Sequence, residues 1–174
     1  MGRSTARRLA LGLIALAACV VNLSFDMEQS GIALIAPSAG SATQSVLVDL
    51  GNSSDVRAHQ KDIRSLDLDS ADVTITDVKA DNAAKTLSLT LWLRKNLEDA
   101  PINDVKVADV QGFTVAPQGT RRIPGNPAVD AFLLERLHDG GKFYVIVAGT
   151  TDAKTDLVLD LNLHASMGYD SGLF

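Results

Sequence analysis

The chain has one cysteine, Cys19, in 174 residues. No intrachain disulfide can form, so the fold must be held by its core alone, which a domain of this size can do. Aromatic residues make up only 5%, with a single tryptophan, Trp92. Valine, isoleucine, leucine and alanine carry the apolar content, which predicts an aliphatic core and argues against an aromatic-lined sugar cleft. Basic residues number 16 against 21 acidic ones, for a formal net charge of −5. An acidic chain is a poor match for nucleic acid or for anionic lipid heads. Histidine occurs at His59, His138 and His164 only. Zinc sites usually contain a close ligand pair, and these three are far apart, so no metal and no other cofactor is expected. The longest uninterrupted apolar run, Leu9 to Val21, is also too short. A transmembrane helix needs about twenty apolar residues.

That run has a different context. Arg3, Arg7 and Arg8 precede it, and the small residues Ala17 and Ala18 stand near its end. A basic start, a short apolar core and small residues form the pattern of a secretory signal. The next residue is Cys19, and Leu16-Ala17-Ala18-Cys19 resembles the lipobox of bacterial lipoproteins. The resemblance covers the leader alone. It implies a diacylglyceryl group on the Cys19 thiol and cleavage between Ala18 and Cys19. It also implies a fatty acyl chain, palmitate or similar, on the new amine. Val20 follows the cysteine, which by the same resemblance favours the outer membrane where the host has one. An ordinary signal peptide and an uncleaved anchor are the alternatives. The expected organisation is a signal peptide over 1–18, a lipidated N-terminus and tether over 19–43, and one domain over 44–174. Small uncharged residues from Gln29 to Thr43 suggest the tether. Losing the leader removes three arginines and leaves the domain more acidic still. Membrane contact would then come through lipid on Cys19.

Past the tether, period-two alternation dominates. Val46, Val48 and Leu50 share one face of an extended run. The segment Leu66–Val78 alternates, Asp81-Asn82 reads as a hairpin turn, and Leu87, Leu89, Leu91 and Leu93 oppose Ser88, Thr90 and Trp92. Leu157, Leu159, Leu161 and Leu163 repeat the pattern, which is that of half-buried strands. Phe143–Ala148 is apolar on both faces, as a covered central strand would be. Weaker strands are expected over 103–115, and one or two helical turns over 55–63. One helix is predicted after Asn126-Pro127, with Val129, Phe132, Leu133 and Leu137 at helical spacing and Gly140-Gly141 as its stop. Many short strands with one short helix predict a mainly β chain, an antiparallel β-sandwich.

Candidate chemistry is sparse. Asp67, Asp69, Asp72 and Asp77 are the densest acidic group, but the spacing fails the EF-hand pattern, and a solvated strand face is expected. His164-Ala165-Ser166-Met167-Gly168 lacks the first glycine of a nucleophile elbow. Gly140-Gly141-Lys142 lacks the spacing of a phosphate loop. His164 falls on the polar phase of the last strand and should face outward. Candidate partner contacts are Trp92, on the polar phase of the best strand, and Arg121-Arg122, read as a small basic loop. The function expected is a lipid-anchored binding or structural module of the cell envelope, without a catalytic site, contacting envelope protein or glycan. The alternatives are an envelope hydrolase using a carboxylate pair such as Asp67 and Asp69, and an accessory subunit of an envelope complex.

Overall fold

In the computed structural model the described residues are 20–171. They form β1 (Val20–Ala36), β2 (Gly40–Asp49), α1 (Ser54–His59), β3 (Ile63–Val78), β4 (Thr86–Arg94), β5 (Val105–Thr114), β6 (Thr120–Pro124), α2 (Pro127–His138), β7 (Lys142–Thr151) and β8 (Thr155–Asp170). The strands make two four-stranded antiparallel sheets, in the orders β1-β8-β3-β6 and β2-β7-β4-β5. The chain is mainly β, and the architecture is an antiparallel β-sandwich with jelly-roll strand order.

The alternating leucines line the space between the sheets. Leu87, Leu89, Leu91 and Leu93 of β4 and Leu157, Leu159, Leu161 and Leu163 of β8 are all buried there. β7 lies between β2 and β4, and Phe143, Val145 and Val147 bury its inner face while Ile146 is covered on the outer one. α2 begins as its sequence dictates. The Asn126 carboxamide oxygen accepts from the Ala128 and Val129 amides, Pro127 occupies the first turn, and Val129, Phe132, Leu133 and Leu137 turn inward. The helix packs on β3, β5 and β7. Gly140, at φ 86°, lets the chain leave it.

Three expectations are corrected. The predicted tether over 19–43 is instead strand: β1 starts at Val20, and β2 covers most of the remainder. β1 pairs with β8 along its length, but a register shift between Gln29 and Ile32 splits its alternation. Phe25 and Met27 are buried on odd numbers, then Ile32, Leu34 and Ala36 on even ones. Gly31, at φ 77°, provides the break, and its amide donates to Asp160 Oδ1 at 2.9 Å. Short apolar stretches in two phases thus look like an irregular linker. The described sandwich accordingly includes strand residues ahead of residue 44, from Val20 on. The Asp81-Asn82 turn does not close a hairpin either, because β3 and β4 belong to opposite sheets. Finally, Arg121 and Arg122 lie on edge strand β6, not in a loop.

Candidate functional site

Two outer surfaces carry polar chemistry. The first is the face of the β1-β8-β3-β6 sheet. β8 alternates strictly there, placing Asp160, Asn162, His164 and Ser166 outward. On β3 a register shift between Leu68 and Ser70 moves the outward phase, so that Asp67, Asp69, Ser70, Asp72 and Thr74 all serve the polar side. Asp26 stands opposite His164 on β1, and Arg122 stands opposite Asp72 on β6.

These registers build a row across four strands. His164 Nδ1 lies 2.7 Å from Asp26 Oδ1, and its Nε2 lies 3.1 Å from Asp72 Oδ2. Arg122 Nε is 3.7 Å from Asp72 Oδ1, while its guanidinium donates to Ser70 Oγ at 2.8 and 3.1 Å. The charges alternate when His164 is protonated. Only the imidazolium has a donor for each carboxylate. Hydrogen bonding to Asp26, and then to Asp72, raises the His164 pKa above its ordinary value. Asp72 Oδ1 and Asn162 Oδ1 are buried without hydrogen-bond partners beside this row.

The row binds strands together, and it leaves no relay to a nucleophile. Both His164 nitrogens face carboxylates, and the Ser166 hydroxyl donates to Asp69 Oδ1 at 3.1 Å. Ser166 is also inside β8, not on a strand-to-helix turn. Asp67 is exposed on β3, and Asp77 pairs with Lys79. His59 stacks on Tyr169 with ring centroids 3.8 Å apart. Among the described residues no group of three or more His, Cys, Asp or Glu side chains is arranged to hold a metal ion.

The second surface is the outer face of the β2-β7-β4-β5 sheet. Trp92 is half-buried there, beside Ile146 of β7 and Lys106 of β5 in register. The β4–β5 connection brings Pro101 over this face. Trp92, Pro101 and Ile146, with Thr43, Arg94, Asp104 and Ala148, line a shallow depression of about 290 Å³. Its charged wall is a bidentate pair. Arg94 Nε and Nη2 donate to the two Asp104 oxygens, each at 2.7 Å, and both side chains are largely covered. Ile102, on the same connection, is 91% exposed.

Of the predicted contacts, Trp92 lies on this second face, while Arg121 and Arg122 belong to the far edge of the first sheet. Arg121 sits 5.7 Å over the Phe113 ring, and Arg122 serves the charged row. The structure does not bring Trp92 and the arginines into one site. Sequence reading placed His164 outward but found neither of its partners. Asp26 and Asp72 are remote in the chain, and only strand order reveals them. Cys19 lies outside the described residues.

No protein-family model matches this chain, and no curated protein does. Solved structures do match it in shape. A chain of Desmodium yellow mottle tymovirus is similar at a TM-score of 0.40 and 12% identity, covering 96% of this chain and 97% of that one. The decameric BFDV capsid protein gives 0.44 and 8%, covering 86% and 99%. Cocksfoot mottle virus gives 0.41 and 10%, covering 98% and 94%. At such values the likeness is one of fold, and function has to be argued from the chain's own residues.

Proposed function

We propose that this chain is a lipid-anchored module of the bacterial cell envelope that works by binding, not by catalysis. The reading rests on the leader: three arginines, a short apolar core and Leu16-Ala17-Ala18-Cys19 in the order a lipoprotein signal needs. One observation carries it: Cys19 directly follows Leu16-Ala17-Ala18 at the end of the apolar run. Cleavage before Cys19 would remove none of the strands of the described residues, Val20 to Asp170. Acylation supplies the membrane affinity that an acidic domain lacks. Each buried methylene contributes about 0.8 kcal/mol, and two or more chains make the attachment durable.

The binding surface in this reading is the Trp92 face. Apolar Trp92, Pro101 and Ile146 surround the Arg94–Asp104 pair, a mixture suited to protein or glycan. The hydrolase alternative fares worse. Asp67 and Asp69 stand on a solvated strand face, and Asp69 accepts from Ser166.

Intact mass of the membrane-fraction protein tests the anchor. The expected wild-type mass lacks residues 1–18 and carries acyl chains, and Cys19→Ala loses both features. A soluble mature protein without added lipid would overturn the reading.

A further inference from the structure

The four edge strands of the sandwich differ in how they meet solvent. β1 breaks register at Gln29–Ile32 and carries Asp26 and Glu28. β5 breaks register twice against β4 and carries Lys106 and Asp109. β6 is only five residues long and holds Arg121, Arg122 and Pro124. Bulges, charges, prolines and short length are the devices that stop an edge from pairing with another chain. β2 has none of them before its last residue, Asp49. From Gly40 to Val48 it contains no charge and no proline, and its pairing with β7 runs in unbroken register from Gly40 to Asp49.

Its free side is also open. An antiparallel edge strand turns the N–H and C=O of every second residue away from its sheet. Among the described residues, no side chain or loop hydrogen-bonds to the β2 backbone over 40–48. The inward phase of β2 is Ala42, Gln44, Val46 and Val48. Only Val48 is buried; Ala42 and Val46 are half-buried and Gln44 is exposed. Among the described residues the core is only partly covered along this edge.

We propose that β2 is a self-association edge, on which a second copy of this chain adds its own β2 antiparallel about a two-fold axis at Gln44. The sequence is self-complementary in that register. Gln44 faces the partner subunit's Gln44, Thr43 faces the partner's Ser45, Ala42 the partner's Val46, and Ser41 the partner's Leu47. Each pair keeps inward residues with inward and outward with outward, as a continuous sheet requires. Small meets large at Ala42, hydroxyl meets hydroxyl at Thr43, and Leu47, 48% exposed in the single chain, gains cover. Moving the axis to Ser45 brings Asp49 opposite Ser41. Moving it to Thr43 carries Leu47 and Val48 past the start of the partner strand. The Gln44 axis alone pairs the whole uncharged stretch. Charge also favours this edge. Two acidic domains repel, and β2 is the edge where they can meet without placing charges side by side. The result is one continuous eight-stranded sheet with closed two-fold symmetry. This pairing does not depend on lipid at Cys19.

The test is sedimentation equilibrium of the full chain in density-matched detergent. The wild type is expected to show a concentration-dependent mass reaching two chains. Gln44→Lys sets like charges face to face across the axis and is expected to weaken the dimer by about tenfold or more. Gln44→Glu should do the same. An equimolar mixture of the two variants should restore the dimer, because opposite charges then meet. Gln44 is exposed, so at concentrations where the wild type is a single chain both variants should keep its melting temperature. A wild type that remains single, variants that dimerise unchanged, or a mixture that fails to recover would each overturn the proposal. Mixture rescue also separates strand pairing from chance sharing of a micelle. Loss of acylation with the dimer intact would sink the anchor reading alone.

Discussion

Protonated His164 has a donor for each of its two carboxylates; neutral His164 has one donor and one lone pair. The folded protein therefore holds the proton more tightly than the unfolded chain, and the pKa is raised by Asp26 first and Asp72 second. The stabilisation is complete below the unfolded histidine value, about 6.5. It fades as pH rises through the higher folded value. Melting temperature followed from pH 5 to 9 should thus fall more for wild type than for His164→Gln. Parallel curves would refute this. Gly125 is a second single-residue constraint. A Cβ there would come within 1.5 Å of the Leu68 carbonyl oxygen, and that backbone is already held by the Asp130 carboxylate on the Leu68 amide. Gly125→Ala should cost about 1–3 kcal/mol in urea unfolding. These residues show where sequence reading stops. The outward direction of His164 follows from its even place among odd leucines. Its partners follow only from β1 and β3 flanking β8, and the closeness of Gly125 to Leu68 is a packing fact that no local pattern carries.

Elements with one uninterrupted period were the most legible; of those that shift register, β3 was expected over 66–78 and β5 within 103–115, while β1 was missed. β4 keeps leucine on alternate residues from Leu87 to Leu93 and β8 from Leu157 to Leu163, and each lies where alternation predicts, β8 running on to Asp170. α2 announces both ends, through Asn126-Pro127 and Gly140-Gly141. Replacing Asn126 with Ala removes the acceptor for two helix amides and also frees the Val107 carbonyl, which takes a bond from the Asn126 side chain at 3.2 Å. A loss of about 1 kcal/mol or somewhat more is expected in chemical denaturation. β1 escaped notice because its two halves bury opposite parities, and Gly31 between them reads as a linker residue. β6 escaped because five residues rich in arginine and proline look like a turn, although edge strands favour just those residues. The hairpin signal at Asp81-Asn82 identified a real turn but not its destination, since a turn can equally pass the chain to the facing sheet.

At the scale of the molecule, sequence periodicity predicted a sandwich, and strand order came from the structure alone. β1 contributes an edge of one sheet and covers β8 from Val20 to Ala36. A chain shortened to begin at residue 44 should therefore lose cooperative unfolding by circular dichroism. One beginning at Cys19 should keep it. Equal behaviour of the two would mean that β1 is dispensable. The start of β1 has a further consequence for range. If Cys19 is held by lipid, the very next residue is already strand, so the domain hangs on no leash. Strand rises about 3.3 Å per residue, and the 17 residues of β1 span roughly 55 Å. The protein could then survey only a thin layer above its bilayer, and whatever it meets must come to that layer.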